Sequence, residues 1–226
     1  MKVILFGATG MVGQGVLKEC LLDPKIESVL SVGRSPTGVV HPKLKELNHQ
    51  DLANYQGLDT HLTGLDACFF CLGTPSSGKT ETEYRRVTYD FTIAAAETLS
   101  RLNPQMVFIY VSGEGADSSE KSRTMWARVR GKTENALLRM PFKAVYIFRP
   151  GLIQPLDGIQ SKTKAYRLFY NAAKPLLPIF RWAFPGLIST TEYIGRAMIL
   201  VAMRGYEKTI LKTSDFNKIA KGQATV

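Results

Sequence analysis

The chain has 226 residues, of which 45% are hydrophobic and 21% are charged, which is typical of a globular protein. This length fits a single domain over residues 1–226. No apolar stretch is long enough to cross a bilayer, and the first residues read as a strand rather than a signal peptide. Three cysteines, Cys20, Cys68 and Cys71, are too few for a disulfide framework and indicate a reducing, cytoplasmic compartment.

The net charge of +10 favours anionic ligands. No zinc-finger spacing, RNA-binding signature or dense Lys/Arg run directs this charge to a polymer, so we expect no specific nucleic-acid binding. Cys68 and Cys71 have a Cys-x-x-Cys spacing, but they fall in a predicted strand, where alternation places them on opposite faces. The sequence therefore predicts no metal site and a basic cleft for a small-molecule dinucleotide.

The first fifteen residues form a pattern of strand, glycine turn and helix. The apolar run Val3–Phe6 predicts a strand, and Gly7, Gly10 and Gly13 follow at three-residue spacing. Gly7 lets the chain turn, Gly10 lets backbone N–H groups approach a pyrophosphate, and Gly13 lets the helix pack closely. The alternative is a tight turn that binds nothing. The predicted cofactor contacts here are Gly7, Thr9, Gly10, Met11, Val12 and Gly13.

This turn, Gly7-Ala8-Thr9-Gly10-Met11-Val12-Gly13, resembles that of atypical and extended members of the short-chain dehydrogenase/reductase superfamily. The resemblance implies an α/β fold with a doubly wound, parallel, Rossmann-type sheet and a bound nicotinamide dinucleotide.

The second predicted strand, Ser28–Gly33, ends at Arg34 and Ser35. At this position an acidic residue would accept hydrogen bonds from the adenosine ribose, whereas an arginine favours a 2′-phosphate. The sequence therefore predicts NADP(H) over NAD(H), with Arg34 and Ser35 holding the 2′-phosphate. Alternatively, Arg34 is a surface side chain in a turn.

A third short strand is predicted over Glu46–His49, followed by Asp51 and Leu52. The resemblance implies that Asp51 and Leu52 contact the adenine. From the residues alone, Asp51 could equally cap a helix over Leu52–Tyr55.

The apolar run Asp66–Leu72 predicts a central strand, and a polar loop follows over 76–82. Ligands of such sheets lie beyond the carboxyl ends of the strands, so Leu72, Gly73 and Thr74 are expected to border the cofactor.

A helix over Glu83–Leu102 and a strand over Met106–Val111 lead to Ser112. The resemblance implies that Ser112 hydrogen-bonds a substrate carbonyl.

The next helix departs from the superfamily pattern. The segment Trp126-Ala127-Arg128-Val129-Arg130-Gly131 is similar to the Tyr-x-x-Val-Lys-Gly of the Tat-interacting oxidoreductase group, also described as NmrA-like or epimerase-like. Gly115-Ala116-Asp117 upstream supports this alignment. Trp126 and Arg130 then stand where the family has its catalytic Tyr and Lys. Tryptophan cannot act as an acid near neutral pH, and arginine keeps a positive charge for ribose hydroxyls without cycling a proton.

Three interpretations remain open. Hydride transfer to a carbonyl or quinone could persist with Ser112 as the polarising group and the proton taken from water, Tyr84 or Tyr110. The protein could instead be an inactive NADPH-binding sensor or scaffold. The alignment could also be shifted by a few residues, although no nearby Tyr-x-x-x-Lys restores the pair.

The strand Lys143–Phe148 ends at Arg149, Pro150 and Gly151, which the resemblance places beside the nicotinamide. Alternatively, Arg149 bonds a loop carbonyl. Residues 152–189 are expected to form a small lobe, in which the basic, aromatic segment 161–184 covers the cleft or meets a protein partner or membrane surface. A helix over Thr190–Met203 and an edge strand over Thr209–Leu211 follow, and residues 215–226 are expected to fray.

Overall fold

The computed structural model describes residues 1–156, 159 and 186–223. Seven parallel strands form one sheet in the order β3-β2-β1-β4-β5-β6-β9. These strands are β1 (Lys2–Phe6), β2 (Ser28–Gly33), β3 (Leu44–Asn48), β4 (Ala67–Phe70), β5 (Val107–Val111), β6 (Ala144–Arg149) and β9 (Ile210–Lys212). The chain reverses its direction of travel across the sheet between β1 and β4, and such a switch point opens a crevice at the carboxyl ends of the strands. The expected doubly wound Rossmann-type fold is confirmed.

Helices cover both faces of the sheet. They are α1 (Met11–Leu22), α2 (Asp59–Leu62), α3 (Glu81–Arg85), α4 (Phe91–Leu102), α5 (Met125–Leu138), α6 (Thr191–Arg204) and α7 (Thr213–Ala220). A π-helical turn, Arg86–Asp90, joins α3 to α4, so these three elements form one helix with a wide turn inside it. Such turns interrupt α-helices as local insertions and often occur near functional sites.

The core has two layers because the side chains of β1 alternate between the faces of the sheet. Val3 and Leu5 pack in the layer that contains α1, α6 and α7. Ile4 and Phe6 pack in the opposite layer, against residues of α4 and α5. Burial of each such side chain contributes roughly 1.5–3 kcal/mol. A sheet covered on both faces explains the nearly continuous apolar runs of its central strands.

The predicted strands lie close to the observed ones, but two helices differ from expectation. The helix predicted from Glu83 begins at Glu81, since Thr80 is its N-cap and forms a capping box with Glu83. The expectation of a frayed end over 215–226 is wrong over 215–220, which belong to α7. The ring of Phe216 on α7 stacks on Phe148 with a centroid distance of 5.4 Å, and this buried contact holds the helix in place.

Two further strands, β7 (Leu152–Gln154) and β8 (Ile188–Thr190), form a separate parallel pair at the start and end of the predicted lobe. Most of that lobe, including the segment 161–184 predicted to meet a partner or membrane, lies outside the described residues. In the described ranges, no helix combines the length and the apolarity that a membrane span requires.

Candidate functional site

The glycine turn after β1 brings three chain segments into close contact. Gly7 has a φ of +78°, and a Cβ on it would lie 2.7 Å from the backbone N of Leu72. A Cβ on Gly13 would lie 2.0 Å from the carbonyl oxygen of Gly7. Helix α1 begins after Gly10, which has no side chain to cap it, and its first turn carries no acidic residue. Its first N–H groups therefore remain available to an anion such as a pyrophosphate.

Arg34 and Ser35 are exposed at the end of β2, next to this turn. The Arg34 carbonyl accepts a hydrogen bond of 2.9 Å from Nε2 of Gln50. Across the part of the chain that the structure describes, no carboxylate forms an ion pair with the Arg34 guanidinium. This positive charge is therefore free to meet a phosphate.

Asp51 and Leu52 follow β3 on the same side of the fold. Asp51 Oδ1 accepts a hydrogen bond of 3.1 Å from the N–H of Ala53, which closes a turn. The alternative in which Asp51 caps a helix is wrong, because no helix forms over Leu52–Tyr55. Leu52 is buried in the core layer that contains Ile4.

A cavity of about 520 Å³ lies at the carboxyl ends of the central strands. It extends from the start of α1 to the strand ends after β4, β5 and β6, and brings together residues predicted separately from the sequence. Its lining includes Met11, Thr74, Tyr84, Ser112, Trp126, Arg130, Pro150 and Gly151. The predicted residues Arg34, Ser35, Asp51 and Leu52 lie outside this lining.

A second groove of the same volume lies between the loop 53–57 and α4. It is lined by none of the residues predicted from the sequence, so it is not the candidate site.

Arg130 lies partly buried across the strand ends. Its Nε donates a hydrogen bond of 2.9 Å to the hydroxyl of Tyr84, and its Nη1 donates one of 3.4 Å to the carbonyl of Val111. A Cβ placed on Gly73 or Gly113, which follow β4 and β5, would lie 3.9 Å from guanidinium atoms of Arg130. A fixed positive charge therefore lies at the carboxyl ends of β4 and β5.

Ser112 belongs to a polar cluster that extends from the buried Glu134 through the partly buried Arg149 to the exposed Ser118. Its hydroxyl donates a hydrogen bond to Oε1 of Glu134, whose side chain is fully buried. Arg149 Nε donates to both oxygens of that carboxylate, at 3.1 and 3.2 Å, and Arg149 Nη2 donates to Ser118 Oγ at 2.6 Å. Because the Ser112 proton is engaged by Glu134, only its oxygen lone pairs face other groups.

The cluster corrects two expectations for Arg149. Its side chain is paired with a buried carboxylate, so it neither points at a nicotinamide nor bonds a loop carbonyl. The backbone of Pro150 and Gly151 still borders the cavity. Sequence reasoning missed Glu134, although a signal exists: it follows Ala127 and Gly131 at helical spacing on the buried face of α5.

Trp126 lines the cavity and packs on the backbone of Gly115, where a Cβ would lie 3.0 Å from its ring. Tyr110, one of the two proton donors weighed from the sequence, is fully buried in β5 and does not line the cavity. Burial raises the pKa of its hydroxyl well above the ordinary value. Tyr84, the other candidate, does line the cavity.

Comparison with known proteins confirms the resemblance to the atypical short-chain dehydrogenase/reductase superfamily. No family model matches the chain. It is 29% identical to Protein HTATIP2 of Rattus norvegicus over 67% of its own length and 62% of that protein, which is less than two thirds of the relative. It is 27% identical to the mitochondrial protein fmp52 of Emericella nidulans, over 90% of the chain and 88% of that protein.

Solved structures share the fold at low sequence identity. A UDP-N-acetylglucosamine 4-epimerase from Methanobrevibacter ruminantium matches with a TM-score of 0.68 and 14% identity, over 92% of this chain and 74% of the epimerase. The enzyme WbmF of Bordetella bronchiseptica, solved in complex with NAD+, matches with a TM-score of 0.65 and 14% identity, over 98% of this chain and 78% of WbmF.

These relatives overturn the expected cytoplasmic location. The FMP52 proteins of Emericella nidulans, Meyerozyma guilliermondii and Candida albicans are all named as mitochondrial. A low number of cysteines is typical of proteins in reducing compartments, but it does not distinguish one such compartment from another.

Proposed function

We propose that the chain binds NADP(H) along the carboxyl edge of its sheet and reduces a carbonyl or quinone with it. The observation that carries this proposal is the continuity of the site: one cavity connects the uncapped start of α1, at Met11, to Ser112 and Pro150 at the strand ends. This path matches the extended shape of a dinucleotide in Rossmann-type folds. The cofactor bound by the similar enzyme WbmF, NAD+, is of the same class.

Each part of the cofactor has candidate contacts in this chain. The backbone at Thr9, Met11 and Val12 offers N–H groups to the pyrophosphate. Arg130 offers its positive charge to the nicotinamide ribose. The remaining expected contacts are Asp51 and Leu52 at the adenine, Leu72, Gly73 and Thr74 along the cleft, and Pro150 and Gly151 at the nicotinamide. When bound, the dinucleotide supplies the hydride.

Selection of NADP(H) over NAD(H) would rest on Arg34. Its guanidinium is exposed and has no carboxylate partner in the described ranges, and no acidic residue stands at the tip of β2 to bind ribose hydroxyls. A hydrogen bond from a charged group contributes about 1.5–3 kcal/mol, or roughly 10- to 150-fold in affinity. We expect a preference of that order for the phosphorylated cofactor.

Thermal unfolding with NADPH, NADP⁺ or NADH tests this proposal. A ligand at one hundred times its dissociation constant adds roughly 2.7 kcal/mol, which raises the melting temperature of a chain of this size by several degrees. We expect the shift with NADPH and a smaller one with NADH at the same concentration. Arg34→Ala should remove the difference, whereas Arg139→Ala, at an exposed arginine that ends α5, should not. Equal shifts with both cofactors in the unaltered protein would refute the preference.

A second candidate function is binding without turnover, as in a sensor or scaffold. Two observations favour it: the Ser112 hydroxyl donates to Glu134, and Trp126 stands where the family has its tyrosine acid. A panel of aldehydes, ketones and quinones distinguishes the two, since only a reductase consumes NADPH. A protein that binds NADPH and consumes none with any acceptor is a binding protein.

We also propose that the two ends of the predicted lobe, β7 and β8, lie beside the cleft; most of the residues between them are outside the described ranges. Ile153 of β7 lines the cavity, and β7 pairs with β8, so the chain leaves and re-enters the described structure beside the site.

A further inference from the structure

Tyr84 is held by its surroundings with its hydroxyl at the cavity. Its side chain is 1% exposed, it lines the same cavity as Ser112, and its oxygen accepts the 2.9 Å hydrogen bond from Arg130 Nε. It comes from α3, whereas Arg130 comes from α5. The pair therefore joins two helices that lie far apart in the sequence, and no single-helix motif would reveal it.

One set of contacts caps the start of α3, and a second contact joins α3 to α5. At its start, Glu83 Oε2 accepts a 2.8 Å hydrogen bond from the N–H of Thr80, while the Thr80 hydroxyl caps the helix. On its exposed side, Glu81 accepts a 2.6 Å ion-pair hydrogen bond from Arg128, which lies two residues before Arg130 on α5. The capping box determines where α3 begins, and the ion pair with Arg128 holds α3 against α5, which keeps the Tyr84 hydroxyl beside the guanidinium.

Other groups that line the cavity are poor proton donors. Ser112 already gives its proton to Glu134, and the indole N–H of Trp126 does not ionise near neutral pH. Glu114 is half-exposed, and its carboxylate is engaged in an ion pair with Lys212 at 3.3 Å. Tyr84 is thus the one tyrosine in the described lining of the cavity, and its hydroxyl hydrogen is not used by Arg130, which is itself the donor.

We propose that Tyr84 is the catalytic proton donor of this reductase and that Arg130 is the residue that positions it, an inference that rests on the proposed function. A hydride from the cofactor carries two electrons to the carbonyl carbon and forms the new C–H bond as the C=O π bond breaks. The Tyr84 O–H bond then breaks, its proton forms the hydroxyl of the product, and the cofactor leaves oxidised. The adjacent guanidinium stabilises the phenolate until water returns a proton.

In this arrangement the proton donor and the positive charge come from two helices, α3 and α5, whereas the family pattern has both on one helix. Trp126 occupies the family position of the acid, and the acid O–H comes from Tyr84 instead. The positive charge stays at Arg130, because a guanidinium serves electrostatics and hydrogen bonding without needing to exchange a proton.

The test combines a spectroscopic readout with kinetics, using Tyr84→Phe, Arg130→Met, Arg130→Lys and the control Tyr89→Phe. Tyr89 lies five residues further along the same helix and its ring contacts Arg85 and Lys132, so the control removes a hydroxyl outside the cavity. In ligand-free protein labelled at tyrosine Cζ with carbon-13, the resonance missing from Tyr84→Phe identifies Tyr84 among the nine tyrosines. Arg130→Met should shift that resonance, and Tyr89→Phe should leave it in place.

The kcat for reduction of phenanthrenequinone or nitrobenzaldehyde by NADPH then tests whether Tyr84 donates the proton. Tyr84→Phe should lower kcat about 10²- to 10⁴-fold while the dissociation constant of NADPH stays unchanged. Arg130→Met should lower kcat comparably, Arg130→Lys should recover part of it, and Tyr89→Phe should have no effect. If Tyr84→Phe fails to fold, Arg130→Met still tests the pair, because it removes the same hydrogen bond from the other side.

The outcomes separate the inference from the function on which it rests. Reduction at an unaltered rate by Tyr84→Phe, or a Tyr84 resonance insensitive to Arg130→Met, would refute the pair and leave the reductase standing. NADPH binding without reduction of either probe by the unaltered protein would refute the reductase and the donor together. Failure to bind NADPH would refute the proposed function at its first step.

Discussion

The buried ion pair between Glu134 and Arg149 predicts a large loss of stability when one partner is removed. The Glu134 side chain is fully buried and that of Arg149 is 13% exposed, so water cannot solvate the group that remains. Breaking such a pair costs about 3–5 kcal/mol because it leaves a buried charge without a partner. For a chain of this size, Glu134→Gln should therefore lower the melting temperature by about 6–20 °C.

Urea unfolding and thermal melting of matched variants check this prediction. The exposed pair of Arg101 and Asp59 is the control: both side chains are about half exposed, and Arg101→Met should cost no more than about 1 kcal/mol. The double variant Glu134→Gln/Arg149→Met removes both charges and should recover part of the loss. A cost for Glu134→Gln no greater than that for Arg101→Met would refute the reasoning.

Three further predictions concern single positions. Gly13→Ala should cost about 1–3 kcal/mol and abolish the NADPH-induced thermal shift, since its Cβ would lie 2.0 Å from the Gly7 carbonyl oxygen. Thr80→Ala should cost about 1 kcal/mol in urea unfolding, because the capping box is lost. Hydrogen bonds from Ser119 lower the pKa of Asp117 from 3.8 to about 2, so Asp117→Asn should be less stable than the unaltered protein at neutral pH. That difference in stability should disappear as the pH falls from about 4 to about 2, measured by melting across this range.

The glycine and threonine predictions each have a control variant. Gly186→Ala has room for its Cβ, with the nearest atom 3.9 Å away, and should melt like the unaltered protein. Thr82 is an exposed residue of α3, so Thr82→Ala should leave the stability unchanged or raise it slightly. A Gly13→Ala protein that keeps its NADPH shift, a Thr80→Ala protein as stable as Thr82→Ala, or an Asp117→Asn difference independent of pH would contradict the respective argument.

Features fixed by local pattern could be predicted from the sequence. The strand Ser28–Gly33 was predicted with its observed bounds, and the glycine turn has the close approaches that its spacing indicated. Both depend on residues adjacent in the chain: apolar runs for buried strands, and glycine where a side chain would clash. The start of α3 was placed two residues too late, although Thr80 and Glu83 have the capping-box spacing that marks it.

Features that depend on distant partners could not be predicted. Arg149 follows a strand in a way that suits a ligand contact, but its partner Glu134 lies fifteen residues earlier on α5. Helix α7 has a polar sequence, and the stacking of Phe216 on Phe148 holds it against the sheet. In both cases a tertiary contact decides the conformation of a segment whose own residues are ambiguous.

The π-helical turn Arg86–Asp90 makes the position of Tyr84 sensitive to the length of the chain as well as to its composition. A π-turn holds one residue more than the α-helical turn it replaces, so deleting Val87 would allow α3 and α4 to continue as one regular helix. The regular turn sweeps nearly the same angle with one residue fewer, so this deletion leaves the orientation of α3 nearly unchanged. With α4 anchored in the core, each further residue removed rotates α3 by about 100° about the helix axis. Among homologues, deletions of two or more residues should therefore be far rarer between Tyr84 and Phe91 than in the exposed loop that precedes α3.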